Sequence, residues 1–242
     1  MIIIALLCLA AVPGIAQDYS EFHGTWIHSR VVQVLNETSS IQRALAARPL
    51  TEPIYMSLDS TRDDGHVTAA FTLGKEEQLL CRRSSFLHAG IKWGVGDATG
   101  PRWILSRDEK DGMYIALTPA DSLERKPIVL GRLPSKNPDP MFIIRRMVNA
   151  SMLSGRWSRS NNTVIEFTTN QVMVTDGRDP RPYTLDISSD GLTVTLVTTT
   201  GKPQKWTVRR DGPELVLSSS AAKTRKRSNS TVSEIRLRYL GK

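Results

Sequence analysis

The chain of 242 residues lacks the short motifs by which many enzymes are recognised. It has no Gly-x-Ser-x-Gly, no His-Glu-x-x-His, no Gly-x-Gly-x-x-Gly and no phosphate-binding P-loop. The carboxylate pairs Asp63-Asp64 and Asp108-Glu109 lie beside Gly or Lys, which is typical of solvated turns rather than of an acid/base pair. We therefore expect no catalytic residues and no enzymatic activity.

Histidine is scarce, with 4 residues at His23, His28, His66 and His88. His23 and His28 are five positions apart, so on one strand their side chains would point to opposite faces. No pair of histidines has the helical i,i+4 spacing with an acidic partner that a zinc site uses. We expect solvated or hydrogen-bonded histidines, and neither a metal nor another cofactor.

The first 16 residues predict an export signal that is removed from the mature protein. MIIIALLCLAAVPGIAQ has an apolar run of about a dozen residues, then Gly14 and Ala16 at the −3 and −1 positions before Gln17. The run is too short to span a bilayer comfortably, so we expect no transmembrane segment in the mature chain. The protein would then be secreted or periplasmic; the alternative is a buried N-terminal strand.

Cysteine is also scarce, because Cys8 lies in the predicted signal and Cys81 alone would remain. A single cysteine excludes an intramolecular disulfide, so the mature protein must be held together by its core. Cys81 lies in EEQLLCRRSSF, a strand-like run, which favours a buried small side chain over a reactive thiol. Asn-x-Ser/Thr triplets begin at Asn36, Asn149, Asn161 and Asn229, and they matter only in a host that glycosylates secreted proteins.

What the chain has in abundance is the alternating pattern of β-strands. In GLTVTLVTTT, threonine separates Leu192, Val194 and Leu196, which gives one apolar and one polar face. Turn pairs such as Asp176-Gly177 and Asp190-Gly191 separate these runs at short intervals. About seven strands are expected after Trp157, which predicts a barrel or a sandwich.

The first half has the same pattern with longer insertions. The strand candidates are IYMSLDS, HVTAAFTL, EQLLCRRSSFL, IKWGV, RWILSRD, GMYIALTP, PIVLGRL and MFIIRRM. Residues 30–47 are the one helical segment, with one or two short helices and a break near 36–39.

The two halves begin and end alike. Gly24-Thr25-Trp26 is matched by Gly155-Arg156-Trp157, and MFIIRRM (141–147) is matched by EIRLRYL (234–240). This arrangement predicts a tandem repeat of one β-domain, with the alternative that a three-residue match is coincidence.

A Gly-x-Trp on the first strand after an export signal, followed by consecutive hairpins and a closing arginine, resembles the lipocalin and calycin barrels. The resemblance implies that the tryptophan packs across one barrel end, with an arginine of the last strand over its ring. Arg145 or Arg146 would cover Trp26, and Arg236 or Arg238 would cover Trp157. The usual later lipocalin motifs are not evident in either half.

The predicted fold class is therefore all-β, with two antiparallel lipocalin-like barrels. The predicted divisions are a signal peptide at 1–16, an N-terminal barrel with a helical insertion at 17–149 and a smaller C-terminal barrel at 150–242. The two halves, expressed apart as 17–149 and 151–242, are expected to fold separately. The second barrel should be packed solid by Trp206, Leu215, Leu217 and Tyr239.

Positive charge is concentrated in the second half, with 15 Lys and Arg against 8 Asp and Glu after Ser154. The basic loop contributes Lys223, Arg225, Lys226 and Arg227, and it would bind an anionic surface or a glycan; the alternative is a solvated loop. No aromatic residue lies within it, which argues against nucleic acid as the partner.

A ligand, if there is one, is expected in the first barrel. An eight-stranded barrel is just wide enough to be filled by side chains or to hold one small ligand. The predicted ligand-binding residues are Trp93 and Trp103 with Arg82 and Arg83, one of which alternation would turn inward, and helical residues 30–47 would close one mouth.

The sequence thus leaves three functions open. The first is an exported protein that holds a small hydrophobic or amphipathic ligand in its N-terminal domain. The second is an interaction or scaffold module of the envelope or extracellular space, without a ligand cavity. The third is an enzyme or metal carrier on the same scaffold.

We predict that the exported protein begins at Gln17, because the small residues at the −3 and −1 positions define a cleavage site after Ala16. N-terminal sequencing of an exported fraction checks this, and recovery of Met1 there would contradict it.

Overall fold

The computed structural model describes residues 20–59, 65–86, 90–107, 112–122, 124–133, 139–219 and 233–241. They form two closed barrels, each of eight antiparallel strands, one after the other along the chain. The predicted all-β fold with two barrels is confirmed, and the arrangement is consistent with a lipocalin-like fold. The predicted signal peptide, His88 and the basic loop lie outside the described residues.

In each barrel every strand pairs with its neighbours in the chain, and the last strand closes on the first. The first barrel consists of β1 Gly24–His28, β2 Tyr55–Leu58, β3 His66–Thr72, β4 Lys75–Phe86, β5 Gly90–Asp97, β6 Gly100–Arg107, β7 Tyr114–Pro119 and β8 Ile128–Arg132. The second consists of β9 Gly155–Arg159, β10 Val164–Phe167, β11 Val172–Thr175, β12 Arg178–Ile187, β13 Val194–Thr198, β14 Lys205–Asp211, β15 Glu214–Ser219 and β16 Ser233–Gly241.

Two helices, α1 Ser29–Thr38 and α2 Ile41–Ala46, leave the first barrel between β1 and β2. The backbone breaks at Ser39, which has a left-handed φ of 49°, and the Ser40 hydroxyl accepts a hydrogen bond from the Arg43 backbone N–H at 3.3 Å. The predicted helical segment with a break is therefore confirmed. We call α1 and α2 together the helical hairpin.

The segment MFIIRRM is not the predicted strand but part of a third helix, α3 Pro140–Val148. The Asp139 carboxylate accepts a hydrogen bond from the Met141 backbone N–H at 2.9 Å, and Pro140 occupies the first turn. Ile144 and Val148 are buried with the helical spacing of four residues. The Asp-Pro start was the signal in the sequence, and α3 leads into the single-turn segment Asn149–Leu153 before β9.

The two Gly-x-Trp segments have the same local structure. The Trp26 indole N–H donates to the carbonyl of Phe22 at 2.9 Å, and the Trp157 indole N–H donates to the carbonyl of Leu153 at 2.7 Å. Both acceptors lie four residues earlier, in a helical turn that precedes the strand, and both indoles are fully buried. The predicted tandem of two barrels is thus present, but of the two matches that predicted it only the Gly-x-Trp starts correspond in the structure, because MFIIRRM is helical and EIRLRYL lies in β16.

The glycines of both segments have φ near +134°, and a cation or ring lies directly over each. Over Gly24 it is the Arg132 guanidinium, and over Gly155 it is the Tyr239 ring, whose Cε2 would lie 2.7 Å from an added Cβ. Because glycine has no side chain, each glycine leaves room for a side chain of the last strand to lie over this position, next to the tryptophan.

The arginines over the two tryptophans are not the predicted ones. Arg132 of β8 lies opposite Trp26, with its guanidinium carbon 5.5 Å from the ring centre, because β8 and not the segment 141–147 closes the barrel. Neither Arg145 nor Arg146 belongs to a strand, since both lie on α3.

In the second barrel Tyr239 of β16 lies opposite Trp157, and the covering cation is Arg210 of β14, 4.6 Å from the ring centre. Arg236 instead pairs with Glu214 and Glu234, and Arg238 is exposed. A buried tryptophan covered by an arginine, which the resemblance to lipocalins implied, is therefore present in both barrels, but the covering arginines are not the expected ones.

A hydrophobic cluster fills the first barrel, with Trp26, Met56, Leu79, Val95 and Leu117 among its fully buried members. A second cluster runs from the outer face of β1–β3 through the three helices into the second barrel. In that barrel the predicted Leu215 and Leu217 are buried, and the predicted Trp206 and Tyr239 are partly buried.

The helical hairpin contacts the second barrel at the β12–β13 turn. Leu45 of α2 packs against Gly191, where an added Cβ would lie 2.6 Å from Leu45 Cδ1. The second cluster therefore belongs to both halves, and either half alone would expose part of it. Whether residues 17–149 and 151–242 fold separately stays a prediction, and this packing argues against it.

We predict that Gly191→Ala lowers the free energy of unfolding by about 1–3 kcal/mol more than Gly177→Ala does. The two glycines have φ of 71° and 69°, so the backbone strain is matched, but only Gly191 faces a neighbouring atom. Urea unfolding of both variants measures the difference.

Leu45→Ala provides the control, because it removes the atom that the added methyl group would meet. In that background the two glycine substitutions should cost the same. Equal costs in the wild-type background would contradict the contact between the halves.

Candidate functional site

The helical hairpin and the second barrel enclose a cleft of about 590 Å³, which we call the helix–barrel cleft. One wall is the segment from Glu37 to Arg43, and the other is formed by the β12–β13 and β14–β15 turns. Its apolar lining residues are Ile41, Met152, Leu192, Val194 and Val208. Leu192, at 61% exposure, leaves an apolar side chain at the edge of the cleft.

Arg210 lines this cleft, and its guanidinium stacks on Trp157 and, at 5.5 Å, on Tyr239. Its Nε donates to the carbonyl of Gly212 at 3.0 Å, and Nη1 donates to the carbonyl of Met152 at 3.2 Å. Burial lowers the pKa of this arginine, and the nearby Tyr239 partly offsets that effect. The side chain thus seals the barrel and also lines the cleft.

Two further cations, Arg43 and Arg209, line the cleft and are exposed. The carboxylate of Asp211 lies 3.7 Å from Arg209 Nη2, with both side chains more than half exposed. An ion pair with that exposure contributes little, about 0–1 kcal/mol, so it does not occupy Arg209.

The predicted ligand-binding tryptophans are both in the first barrel, but neither lines the helix–barrel cleft. Trp103 is 6% exposed and stacks on Phe71, with 5.9 Å between ring centres. Trp93 is partly buried against the same cluster. Trp103 therefore fills the barrel interior, and a ligand there would have to displace packed side chains.

The predicted arginines do not place a charge inside the barrel, because both are exposed. Arg83 lies opposite Trp93, with its guanidinium carbon 5.3 Å from the ring centre. The β4–β5 hairpin continues past the end of β3, whose pairing with β4 begins at Leu80. Alternation places Arg83 on the same sheet face as Trp93, but here the hairpin extends beyond the barrel, so there is no interior for the side chain to enter. Arg82 lines a separate pocket of about 110 Å³.

His28 is hydrogen-bonded rather than solvated. Its Nδ1 accepts from the Arg30 backbone N–H at 3.1 Å, so Nε2 carries the proton and donates to the Glu52 carboxylate at 2.8 Å. Beside it the buried Arg48 donates to the carbonyls of Glu52 and Phe71. Burial lowers the pKa of Arg48, and Glu52 opposes that shift. These bonds fix the base of the helical hairpin.

Asn149, the start of one Asn-x-Ser triplet, is fully buried. Its amide donates to the carbonyl of Thr168 at 3.0 Å and accepts from the Tyr183 hydroxyl, whose pKa is raised by burial. In the folded protein this asparagine is closed to glycosylation, whereas Asn36 and Asn161 are exposed.

Comparison with protein-family models, with curated proteins and with solved structures gives no match. Among the described residues, no group of three or more His, Cys, Asp or Glu side chains is arranged to hold a metal ion. No helix in that part of the chain is long and apolar enough to cross a membrane.

Sequence reasoning missed the helix–barrel cleft because its walls come from segments about 150–170 residues apart. The one available signal was Arg210, an arginine at an inward position of KWTVRRD, opposite Leu215.

Cys81 is 1% exposed and free, and burial raises its pKa to about 12. Because the thiolate is the reactive form, we predict that a maleimide does not label Cys81 in the folded protein at pH 8. Labelling should become complete in 8 M urea, as mass spectrometry would show. A folded protein that is labelled at Cys81 within minutes would contradict this burial.

Proposed function

We propose that this protein is an exported, non-catalytic binding protein that holds a small amphipathic molecule in the helix–barrel cleft. The observation that carries the proposal is the cleft itself, whose lining combines five apolar residues with the three cations Arg43, Arg209 and Arg210. Its volume of about 590 Å³ is that of sites for small molecules, which are about 300–1,000 Å³.

The proposal keeps the ligand class expected from the sequence and changes the place where the ligand lies. The packed cluster inside the first barrel argues against that barrel as the container. The N-terminal half still contributes, because its helical hairpin forms one wall of the cleft. Export is supported only by the pattern of residues 1–16.

A second candidate function is an interaction module, favoured by exposed apolar residues on the first barrel. Met113, Tyr114 and Val129 are each more than 40% exposed, on or next to the neighbouring strands β7 and β8. The anionic surface or glycan predicted for the loop 223–227 belongs to this candidate.

Decanol, a neutral amphipathic probe, tests the site with a pair of matched tryptophan variants. Gln42→Trp fills the cleft, because Gln42 lines it, and we expect at least a ten-fold loss of decanol affinity. Ala46→Trp is the control, because Ala46 is exposed on α2 and does not line the cleft. Isothermal titration calorimetry measures both, and native mass spectrometry of the purified protein looks for a bound molecule.

A third variant distinguishes the two possible binding sites, the helix–barrel cleft and the interior of the first barrel. If Trp103→Ala together with Arg83→Ala abolishes decanol binding while Gln42→Trp does not, the ligand lies in the first barrel, as the sequence predicted. If neither decanol nor decanoate binds the wild-type protein and no molecule co-purifies, the interaction module replaces the binding protein.

A further inference from the structure

The most informative group in the helix–barrel cleft is Arg210, a half-buried cation without an anionic partner. In the part of the chain that the structure describes, its hydrogen bonds go to two backbone carbonyls, and no carboxylate forms an ion pair with it. The nearest acidic residue in sequence, Asp211, pairs with Arg209 instead. Arg210 is only partly withdrawn from water, and an anion placed against its free N–H groups would add charge-assisted hydrogen bonds to its present contacts.

The first barrel shows that an arginine over the buried tryptophan need not itself be half-buried. Arg132 covers Trp26 as Arg210 covers Trp157, and it also donates to a backbone carbonyl, that of His23 at 3.1 Å. However, Arg132 is exposed, so water compensates its charge. Stacking on a tryptophan therefore does not by itself bury the arginine; Arg210 also contacts the Tyr239 ring and the Met152 carbonyl, and it lines the cleft.

The other charges of the cleft leave a positive balance near Arg210. Five charged residues line it, namely Glu37, Arg43, Arg209, Arg210 and Asp211, for a net charge of +1. Glu37 accepts from the Gln33 amide at 2.7 Å, and Asp211 lies beside Arg209. The Glu37 carboxylate therefore has a partner and that of Asp211 a weak one, while Arg43 makes no ion pair with any described residue.

We propose that the ligand of the helix–barrel cleft carries an anionic head group, a carboxylate or a phosphate, that binds Arg210 with support from Arg209. This rests on the proposed function, since it names the ligand class of the same site. The head group lies at the Trp157 end, and the tail follows Val194, Val208 and Leu192 along the cleft. Arg210 still has guanidinium N–H groups beyond the two that bond to carbonyls, and these donate to the anion.

Two probes of equal chain length, decanoate and decanol, test the head group on the wild-type protein at pH 7. We expect decanoate to bind at least ten-fold more tightly, because a hydrogen bond to a charged group is worth about 1.5–3 kcal/mol. Its affinity should fall as NaCl is raised, and that of decanol should not. Equal binding of the two probes would overturn the inference and leave the binding protein in place.

Arg210→Met is the decisive variant, because it removes the charge and keeps an unbranched side chain over Trp157. We expect it to weaken decanoate by at least ten-fold and decanol by less than two-fold. Arg132→Met is the control, because it removes the cation that covers Trp26 in the first barrel and does not line the cleft, and it should change neither affinity. Urea unfolding of both variants shows whether each is folded in the titration.

The outcomes separate the two proposals. If Arg210→Met weakens decanoate and decanol equally, Arg210 acts by packing alone and the anionic head group is wrong. If Arg210→Met does not fold, Arg209→Gln takes its place, with the same selective loss of decanoate expected on a smaller scale. If neither probe binds the wild-type protein, the binding function itself fails.

Discussion

The burial of the helical hairpin against the second barrel is the contact on which the rest of this structure depends. The hairpin leaves the first barrel after β1, where His28, Glu52 and Arg48 fix its base. Its apolar side chains join a cluster that continues into the second barrel. The same contact makes two barrels into one molecule and leaves a cleft beside it, so stability and the candidate site have a common origin.

The two barrel ends have the same local structure around the tryptophan but place the covering arginine in different environments. Each has a buried indole whose N–H bonds to a carbonyl four residues earlier, and each is covered by an arginine. In the first barrel that arginine comes from the closing strand and remains in water. In the second, Tyr239 occupies the closing strand, and Arg210 reaches over from β14 into a cleft. The covering arginine thus lies on the closing strand in one barrel and two strands before it in the other, and this difference turns a structural cation into a candidate ligand contact.

The strands, the helical hairpin and the paired Gly-x-Trp ends could be predicted from the sequence, because period two and turn residues are local signals. MFIIRRM was misassigned because a short apolar run with paired arginines fits a strand, although Asp139-Pro140 pointed to a helix. Arg82 and Arg83 were misjudged because alternation gives the face of a sheet but not where the barrel ends. The cleft needs the packing of one half against the other, which no local pattern contains.

The order of synthesis gives the shared cluster a kinetic consequence. Leu45 emerges from the ribosome 110 residues before Gly155, the first residue of the barrel that covers it. Until that barrel closes, the side of the hairpin around Leu45 that meets Gly191 is uncovered, and exposed apolar surface promotes aggregation of nascent chains. In a chain exported unfolded across a membrane, the hairpin would emerge on the far side before the second barrel does. Its folding there would depend on how quickly the C-terminal half is translocated.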